Sequence, residues 1–513
     1  METCAAASVT DGCVSARGAA RAAVGVALGA AALCGAVLCG AAPARASEPC
    51  EARWIAAGVD VTGAVSCSTL TDKGELVIGG LFRGVGGQLV NAVALRSSEG
   101  WRALEEGVNG AVFALAPLRG GAIVAGGEFA HASGVPGTEN VALWDGAAWR
   151  SMGGGVNGRV RAALALPDGR VAVGGDFSRA GNKPARHVAI YDPRSGEWSE
   201  VAGGVNNLVF DFAIAPSGEL VVAGAFTRAG DTPAPALAVW DGSRWDAIGG
   251  LLGSVYSVAF ADNGDLLAGG DFRAEGMWGW MVRNVGRWDG KRWHSFHEGA
   301  ADYVRDVLPL ERGTLLIAGS NVSSYPTGVG VARWDGRYWN ASGSGIANLP
   351  NGSGFRAVFT MTRLPDGTLA IGGDFQLAGG LYTPNLAYLD LGKPAPEITE
   401  DPARAYVCAT GATTFRVRAS GAATYRWQRR GPDTGWQWQD VREGDNFDIE
   451  GVFRFRAAGA GTDTLTLDRA APPPNSAPGW ASLGWWATEV RCVVGHECSS
   501  ATSRGAWLQV CSA

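Results

Sequence analysis

The chain has 513 residues and a formal net charge of −6, with 77 glycines and 20 tryptophans. Its length predicts either two or more domains or one large repeat domain. The 43 lysines and arginines are scattered without a basic stripe, so we expect no nucleic-acid partner.

An export signal is predicted at the N-terminus. Arg17 and Arg21 precede the apolar run of residues 22–42, and the Ala-Arg-Ala sequence of residues 44–46 follows. Basic, apolar and small residues in this order are typical of a secretory signal peptide, which we assign to residues 1–46. The apolar run is long enough that an uncleaved membrane anchor is the alternative. We therefore expect an exported protein that is secreted, periplasmic or held at the cell surface.

A repeated motif follows the signal. "VGGDFSRAG" (173–181) recurs in forms such as "AGGEFAHASG" (125–134) and "GGDFQLAGG" (372–380). The aromatic position of the motif falls at Phe82, Phe129, Phe177, Phe226, Phe272, Val322 and Phe375. Seven copies of a unit with a period near 50 residues indicate a solenoid, a propeller or a related array.

Each unit predicts four short antiparallel strands. In residues 160–198 an apolar run ends at "LPDG", a β-rich run reaches the Gly-Gly pair, and a third run precedes a strand that carries Trp198. Pro-Asp-Gly favours a tight turn, and helical periodicity is almost absent. Four strands in a unit of this length predict an all-β fold, a seven-bladed β-propeller with four-stranded blades.

The two ends of the repeat region predict a shared blade. No Trp strand follows residues 385–392, whereas residues 53–70 align with residues 244–260, so that Trp54 begins a fourth strand without the first three. An N-terminal strand that completes the last blade would close the ring and remove its open edges. We place the propeller in residues 47–393.

Two repeated residue types are interpreted as structural. We align the first glycine of the pair as Gly79, Gly126, Gly174, Gly224, Gly269, Gly319 and Gly372, and the fourth-strand tryptophan as Trp54, Trp101, Trp149, Trp198, Trp245, Trp293 and Trp339. The acidic position after the pair varies and is missing from the fourth copy. A strand glycine marks a bulge or a close approach, and we expect the tryptophan of the blade to pack over it.

The Gly pair, the later aromatic-Asp and the Trp resemble the kelch-type repeat, as in "VALWDGAAW" (141–149) and "VARWDGRYW" (331–339). The longer Gly-Gly-x-Phe form with its following Ala-Gly is still more similar to the propellers of fungal cortical landmark proteins and related bacterial secreted proteins. The resemblance covers residues 51–393 and implies a fold, whereas propellers host binding and catalysis alike.

The period ends in a Pro-rich junction, and a second domain is predicted in residues 394–513. Cys408, Trp427 and Cys492 resemble the Cys…Trp…Cys pattern of the immunoglobulin fold, in which the tryptophan packs on the disulfide between two sheets. The resemblance implies an immunoglobulin-like β-sandwich with a Cys408–Cys492 disulfide. Val490 stands where that family has a tyrosine, and a Trp-rich insertion makes the domain atypical.

Six cysteines follow the signal, and an even number in an exported protein favours disulfides over a metal site. Cys498 and Cys511 flank a predicted hairpin that a disulfide would staple. Cys50 and Cys67 are then left as the third pair. We expect no metal and no cofactor, although His294 and His297 have a suggestive spacing.

We expect a secreted, non-catalytic binding or adhesion protein that recognises an extracellular protein or glycan through loops on one propeller face. Candidate contacts are Trp278 and Trp280 in an insertion of the fifth unit, together with Asn109, Asn157 and Asn206 in the "GVN" loops. Packing of the insertion on its own blade, and turn geometry for the asparagines, are the structural alternatives.

The other function considered is a propeller enzyme acting on glycans as a hydrolase or oxidase. A hydrolase needs paired carboxylates, for which Asp176, Asp271 and Asp374 are the candidates, although their repetition favours turn and edge roles. A copper radical oxidase needs a cysteine in its site, and residues 68–407 contain none.

Overall fold

A computed structural model describes residues 52–511 except 276–280, 298, 321–328, 337–338, 343, 351–355, 393–395, 409–410, 422–423, 432–433, 435–436, 445, 450–452, 471–485 and 496–499. The predicted signal peptide therefore lies outside the described residues. The described part is all-β: its only helical turns are two short 3₁₀ segments, Arg119–Gly121 and Glu311–Gly313. No helix in this part is long and apolar enough to cross a membrane.

Residues 53–390 form seven four-stranded antiparallel sheets, numbered here sheets 1 to 7. Sheet 1 contains Val61–Leu70, Leu76–Val85, Val93–Ser97 and Gly100–Ala103; sheet 2, Ala111–Pro117, Ile123–Glu128, Val141–Trp144 and Trp149–Ser151; sheet 3, Arg159–Ala165, Val171–Asp176, Val188–Asp192 and Glu197–Glu200; sheet 4, Val209–Ile214, Leu220–Gly224, Leu237–Trp240 and Trp245–Ala247. Sheet 5 contains Leu251–Phe260, Leu266–Glu275, Met281–Trp288 and Trp293–Ser295; sheet 6, Val304–Pro309, Leu315–Gly319, Val331–Trp334 and Trp339–Ala341; sheet 7, Ala357–Arg363, Leu369–Asp374, Leu386–Asp390 and Arg53–Ala56.

Shorter strands lie beside these sheets. They are Gln88–Leu89, which pairs with the second strand of sheet 1, the hairpins Arg179–Ala180 with Lys183–Pro184 and Arg228–Ala229 with Thr232–Pro233, and the three-stranded group Ile346–Ala347, Leu377–Ala378 and Leu381–Tyr382. Within sheets 1 to 6 the four strands are neighbours in chain order, which is the arrangement that the alternating apolar runs and tight turns predict.

Sheet 7 is completed by the N-terminal strand. Arg53–Ala56 pairs antiparallel with Leu386–Asp390, so that Trp54 lies opposite Leu389. The pairing joins residues more than 300 positions apart in the chain, and it fills the edge that the last sheet would otherwise leave open.

The seven sheets pack on one another in cyclic order. The first strands of consecutive sheets contact each other from sheet 1 to sheet 7, and the first strand of sheet 7 contacts that of sheet 1. Apolar clusters fill the junctions between neighbouring sheets. At the last junction, Ala370 and Tyr388 of sheet 7 pack with Ile78 and Phe82 of sheet 1. The cores therefore lie between the sheets.

Residues 397–511 form two larger sheets and one short pair. The first sheet contains, in spatial order, Ala405–Cys408, Ala506–Cys511, Trp486–Gly495, Thr424–Arg430 and Gln439–Asp440, with Ser500–Thr502 beside Trp486–Gly495. The second contains Ala412–Arg416, Thr464–Ala470, Phe453–Ala458 and Asn446–Ile449, and the short pair is Glu397–Glu400 with Arg418–Ser420. One core joins the two sheets, with Phe415, Trp427, Phe455, Leu467 and Cys492 fully buried.

The register of the first of these sheets contradicts the predicted Cys408–Cys492 disulfide. Val407 pairs with Val510, which pairs with Trp486, and Cys492 lies six residues beyond Trp486. That offset is about 20 Å along a strand, whereas bridged cysteines need Cα atoms within about 7 Å. The thiol of Cys492 is unbonded and buried.

Phe415 occupies the place that the prediction gave to Cys408. It lies in the strand that faces Trp427 from the second sheet, with ring centroids 6.5 Å apart. Cys408 instead belongs to the edge strand that runs parallel to the C-terminal strand, in register with Cys511. A phenylalanine therefore fills the space between the sheets that we expected a disulfide to span.

Candidate functional site

The first strand of every one of the seven sheets contains a β-bulge at the same place. In sheet 1, Val65 lies opposite Gly80 and Cys67 opposite Gly79, so that Ser66 is the extra residue. The seven extra residues are Ser66, Phe113, Arg161, Phe210, Tyr256, Arg305 and Phe359. A bulge leaves its extra residue outside the ladder and redirects the side chain. We call these seven residues the bulge ring, because the first strands that carry them contact one another in a cycle.

Five consecutive members of the bulge ring touch one another through their side chains. The guanidinium carbon of Arg161 lies 5.9 Å from the ring centroid of Phe113 and 5.7 Å from that of Phe210. Phe210 packs edge-to-face on Tyr256 at 5.1 Å, and Arg305 stacks on Tyr256 at 4.8 Å. These distances are those of cation–π and aromatic contacts. The contacts form a continuous arc across sheets 2 to 6.

Arg161 and Arg305 make no hydrogen bond or ion pair within the described part of the chain, beyond these ring contacts. The buried Nε of Arg161 lacks an acceptor. By contrast, Arg159, two residues earlier, forms a 2.5 Å ion pair with Glu128 of the neighbouring sheet. Burial, followed by repulsion from Arg159, lowers the pKa of Arg161 from its usual value.

The predicted acidic set lies near the same end of the first strands. Asp176 pairs with Arg159, Asp271 with Ser254 and Asp374 with Ala357. Each of these three partners lies in a first strand, a few residues before the bulge. Asp176 and Glu128 attract the charge of Arg161. Burial raises the pKa of Tyr256, Arg305 opposes the rise, and Asp271 adds to it. Asp176 and Asp271 are exposed.

The residue after each bulge forms a second set, in which polar side chains join neighbouring sheets. Asp211 Oδ2 accepts a hydrogen bond from Val258 N at 2.8 Å, and Asp306 Oδ2 accepts one from Met361 N at 2.6 Å. In the same way Ser257 Oγ accepts the N–H of Val307, and Thr360 Oγ1 accepts the N–H of Ser68. Four consecutive junctions, from sheet 4 round to sheet 1, therefore carry the same inter-sheet bond.

The two carboxyl groups in that set titrate abnormally. Desolvation by burial, opposed by the hydrogen bonds that they accept, raises the pKa of Asp211 to about 7 and the pKa of Asp306 to about 6. The charge of Asp306 adds to the rise at Asp211. Burial favours the neutral carboxyl because it removes water from the charged form.

The glycine alignment made from the sequence is wrong in sheets 4 and 6. Gly224 lies opposite Val209 and Gly319 opposite Val304, as Gly175 lies opposite Val160, so both correspond to the second glycine of the pair. The constant positions are Gly80, Gly127, Gly175, Gly224, Gly270, Gly319 and Gly373. Ala223 and Ala318 occupy the first position, and Ala225 stands at the acidic position of sheet 4.

The bulge explains why the second glycine is constant. A Cβ at Gly175 would lie 2.1 Å from the carbonyl oxygen of Arg159, and one at Gly80 would lie 2.1 Å from that of Ala64. A Cβ at the first position meets a valine of the next sheet, as Gly126 meets Val160. The expected packing of tryptophan over the pair is therefore wrong.

The repeated tryptophans join sheets instead. Trp198 packs on Gly181 of the later Ala-Gly and donates its Nε1 to Met152 O at 2.7 Å, across the junction with sheet 2. Equivalent bonds are made by Trp54, Trp149, Trp245, Trp293 and Trp339. Trp101 is half-buried and makes no such bond within the described part of the chain.

The asparagines of the "GVN" loops are engaged within the protein. Asn157 Oδ1 accepts hydrogen bonds from Ser178 N and Arg179 N at 3.0 and 2.8 Å, and its Nδ2 donates to Ser178 Oγ. Asn109 and Asn206 accept the same pair of backbone bonds. These bonds fix the loop after the second strand and account for the repeated asparagine without a ligand.

Several other predicted residues fall elsewhere. Trp278, Trp280, Cys50 and Cys498 lie outside the described residues. The thiol of Cys67 is unbonded and lies in the first strand of sheet 1, 3.9 Å from Val112 O, and the predicted Cys50–Cys67 disulfide stays a prediction.

The two histidines with a suggestive spacing point to different neighbours. His294 is 2.6 Å from Asp289, and His297 packs on Trp334. No group of three or more potential metal ligands occurs in the described part of the chain.

The bulge ring was missed in the sequence, although a signal for it exists. Aligned on their first strands, the seven units read Val, then the variable bulge residue, then a small or polar residue, as in "AVFALA" (111–116) and "YVRDVL" (303–308). The valine is constant, and the residue after it is aromatic or arginine in six of the seven units. Comparison centred on the glycine pair obscured this position.

No family model matches the chain, and no curated protein matches it. Among solved structures, the chain aligns with the extracellular domain of BT3049 of B. thetaiotaomicron, described as a hybrid two component system, at 10% identity and a TM-score of 0.40. The alignment covers 88% of this chain and 56% of that one, so this chain spans little more than half of that domain.

Two other solved structures give weaker alignments. The extracellular domain of BT4673 of the same organism aligns at 9% identity over 88% of this chain and 68% of that one, with a TM-score of 0.29. Tandem Ig repeats of Dlar align at 13% identity over 39% of this chain and 89% of that one, with a TM-score of 0.15. Scores this low carry no conclusion about fold or function.

Proposed function

We propose that residues 53–391 form a seven-bladed β-propeller closed by the N-terminal strand, and that the exported chain is a non-catalytic binding protein. The cyclic packing of sheets 1 to 7 supports the propeller, as does the pairing of Arg53–Ala56 with sheet 7. Four antiparallel strands per sheet, with first strands innermost, are the arrangement of a propeller blade.

The binding role rests on one observation, the bulge ring. Seven equivalent backbone positions follow a buried valine that is constant, and four of them carry an aromatic side chain and two an arginine. Phe113, Phe210, Tyr256 and Phe359 are half-buried, and the arc through Arg161 and Arg305 joins five sheets. A rigid scaffold that presents a few variable aromatic and polar groups is typical of ligand sites.

The C-terminal part is proposed to be an immunoglobulin-like sandwich that serves as an accessory module. Ala405–Cys408 and the last strand, Ala506–Cys511, are parallel neighbours, and the strand of Trp427 lies beside the strand of Cys492. Trp427 is fully buried and donates its Nε1 to Thr462 O. These relations are those of a variable-type immunoglobulin domain without its disulfide.

A propeller enzyme acting on glycans is the second candidate. The raised pKa values of Asp211 and Asp306 favour it, since general acids need a neutral carboxyl near pH 7. Against it, one oxygen of each carboxylate accepts a backbone N–H from the next sheet, a role that Ser257 and Thr360 share without any acid. The shared bond supports an inter-sheet role.

The test is a binding screen of the exported form of the full chain on arrays of extracellular glycans and proteins. Binding should be weakened at least tenfold by Tyr256→Ala in the bulge ring and left unchanged by Asp262→Ala in an exposed turn between first and second strands. If Asp262→Ala weakened binding and Tyr256→Ala did not, the result would contradict the assignment of the bulge ring as the binding surface.

Catalysis is tested on the same preparation with glycosidase and oxidase substrates. The binding role predicts no turnover. If the wild-type protein turned over a substrate and Asp211→Asn and Asp306→Asn each abolished that activity while staying folded, the enzyme function would replace the binding function.

A further inference from the structure

The two arginines of the bulge ring are held in place by aromatic faces. Arg161 lies between Phe113 and Phe210, and Arg305 lies over Tyr256. A guanidinium stacked on a ring keeps its N–H edge free, and that edge matches the two oxygens of a carboxylate or sulfate. The aromatic residues therefore position donors and leave them unused.

Neither arginine has an internal counter-ion within ion-pair distance in the described residues. The buried Nε of Arg161 has no acceptor in the described residues, although the large majority of buried side-chain polar atoms in proteins have a partner. The nearby Arg159 differs, because Glu128 neutralises it. A charged group that is partly buried without a partner is costly, and an incoming anion would remove that cost.

Arg161 and Arg305 also act on each other. They lie on the first strands of sheets 3 and 6, and their charges repel across the bulge ring. An anion bound between the two arginines would attract each of them and would offset their mutual repulsion. The acidic residues Glu128, Asp176 and Asp271 lie near the same end of the strands, and they disfavour a ligand with several negative charges.

We propose that Arg161 and Arg305 bind a singly charged oxyanion, a carboxylate or a sulfate ester, carried by the ligand of the bulge ring. This proposal rests on the proposed binding function and names the chemical class of its ligand. The aromatic members contact the uncharged part of that ligand, since Phe113 and Phe359 are half-buried and keep apolar surface exposed.

The experiment is calorimetric titration of the full exported chain at constant ionic strength. The probes are glucuronate and benzoate for the carboxylate, methyl sulfate for the sulfate ester, inorganic phosphate for a multiply charged anion, and glucose and benzamide as neutral analogues. We expect saturable binding of a carboxylate or of methyl sulfate, with binding of phosphate and of the neutral analogues at least tenfold weaker.

The variants separate this site from general charge effects. Arg161→Gln and Arg305→Gln should each weaken binding at least tenfold, and Arg161→Lys should weaken it because lysine loses the bidentate edge. Arg159→Gln is the matched control and should leave binding unchanged. Because Arg305 is exposed, we expect Arg305→Gln to stay folded, and this variant still tests the site if Arg161→Gln unfolds.

The outcomes distinguish the two proposals. The oxyanion site is overturned if no oxyanion probe binds. It is also overturned if Arg305→Gln leaves the binding of these probes unchanged. If the arrays still identify a ligand that depends on Tyr256, the binding function stands and only its ligand class is wrong. If no array ligand and no probe binds, both proposals fall.

Discussion

The indole Nε1 of Trp54 donates a 2.7 Å hydrogen bond to the carbonyl oxygen of Ser342, 288 residues later in the chain. Trp54 belongs to the N-terminal strand that completes sheet 7, and Ser342 follows the fourth strand of sheet 6. The same bond joins other neighbouring sheets, as from Trp198 to Met152. The N-terminal strand is thus built into the cycle by the contact that the other units use.

Removal of this bond should cost stability. Trp54→Phe keeps most of the buried ring and loses the N–H, so we expect the free energy of unfolding to fall by about 1 kcal/mol. Trp54→Ala also removes the packing and should lower it by about 3–5 kcal/mol. Trp101→Phe is the matched control, because no Nε1 bond is recorded for that tryptophan, and its effect should stay within about 0.5 kcal/mol in chemical denaturation.

The two glycines of each pair should respond differently to alanine. Gly80→Ala places a Cβ 2.1 Å from the carbonyl oxygen of Ala64, and because backbone must shift we expect a loss of about 3 kcal/mol. Gly79→Ala meets side-chain atoms of Val112 and Cys67 at 2.7 and 2.8 Å, and alanine occupies this position in sheets 4 and 6, so about 1–2 kcal/mol is expected. Equal or reversed losses in thermal unfolding would contradict the bulge assignment.

Stability should decrease as pH rises from about 4 to about 7. The pKa of Asp211 is raised to about 7, so in this range the folded state binds a proton that the unfolded state has already released. The stabilisation is complete below the ordinary aspartate pKa near 4, is lost as pH rises to about 7, and does not change further above that pH. Asp211→Asn imitates the neutral carboxyl and should flatten this dependence by about 2 kcal/mol between pH 5 and 8.

Asp262→Asn, an exposed turn residue, is the control for that measurement and should leave the slope unchanged. If Asp211→Asn did not alter the pH dependence of the free energy of unfolding, the carboxyl of Asp211 would be ionised in the folded protein. The contact with Val258 would then depend on a charged acceptor.

Cys492 should be a free thiol. It is fully buried, and burial raises its pKa to about 11, so alkylation is expected only after denaturation. Peptide mapping without reduction should recover Cys492 unlinked. A Cys492 peptide joined to a Cys408 peptide would contradict the register of the C-terminal sheets, and Phe415→Ala should then be tolerated because the disulfide would fill its place.

The sequence was enough to predict the seven units and their strands, because those features repeat at a fixed period with strong turn residues. The pairing of the Trp54 strand with the last sheet was predicted because residues 53–70 align with a later unit. The glycine alignment failed at Gly224 and Gly319, since a one-residue offset in a short motif is invisible until strand register is known. Cys408 was misassigned because cysteine spacing does not reveal which strand of a sheet carries the residue.

The candidate site itself lay beyond the repeat analysis. Arg161 and Arg305 differ from their equivalents in other units, and a search for what is constant passes over such positions. Their significance depends on the bulge, which directs both side chains to the same ring, and on the absence of an ion-pair partner in the described residues.

Amide hydrogen exchange of the strand Arg53–Ala56 tests the central claim most directly. If this strand closes the cycle, its amides should exchange as slowly as those of its partner Leu386–Asp390, and both should open only with the global unfolding of the sheets. Exchange of residues 53–56 within seconds, while residues 386–390 stay protected, would contradict the closed ring.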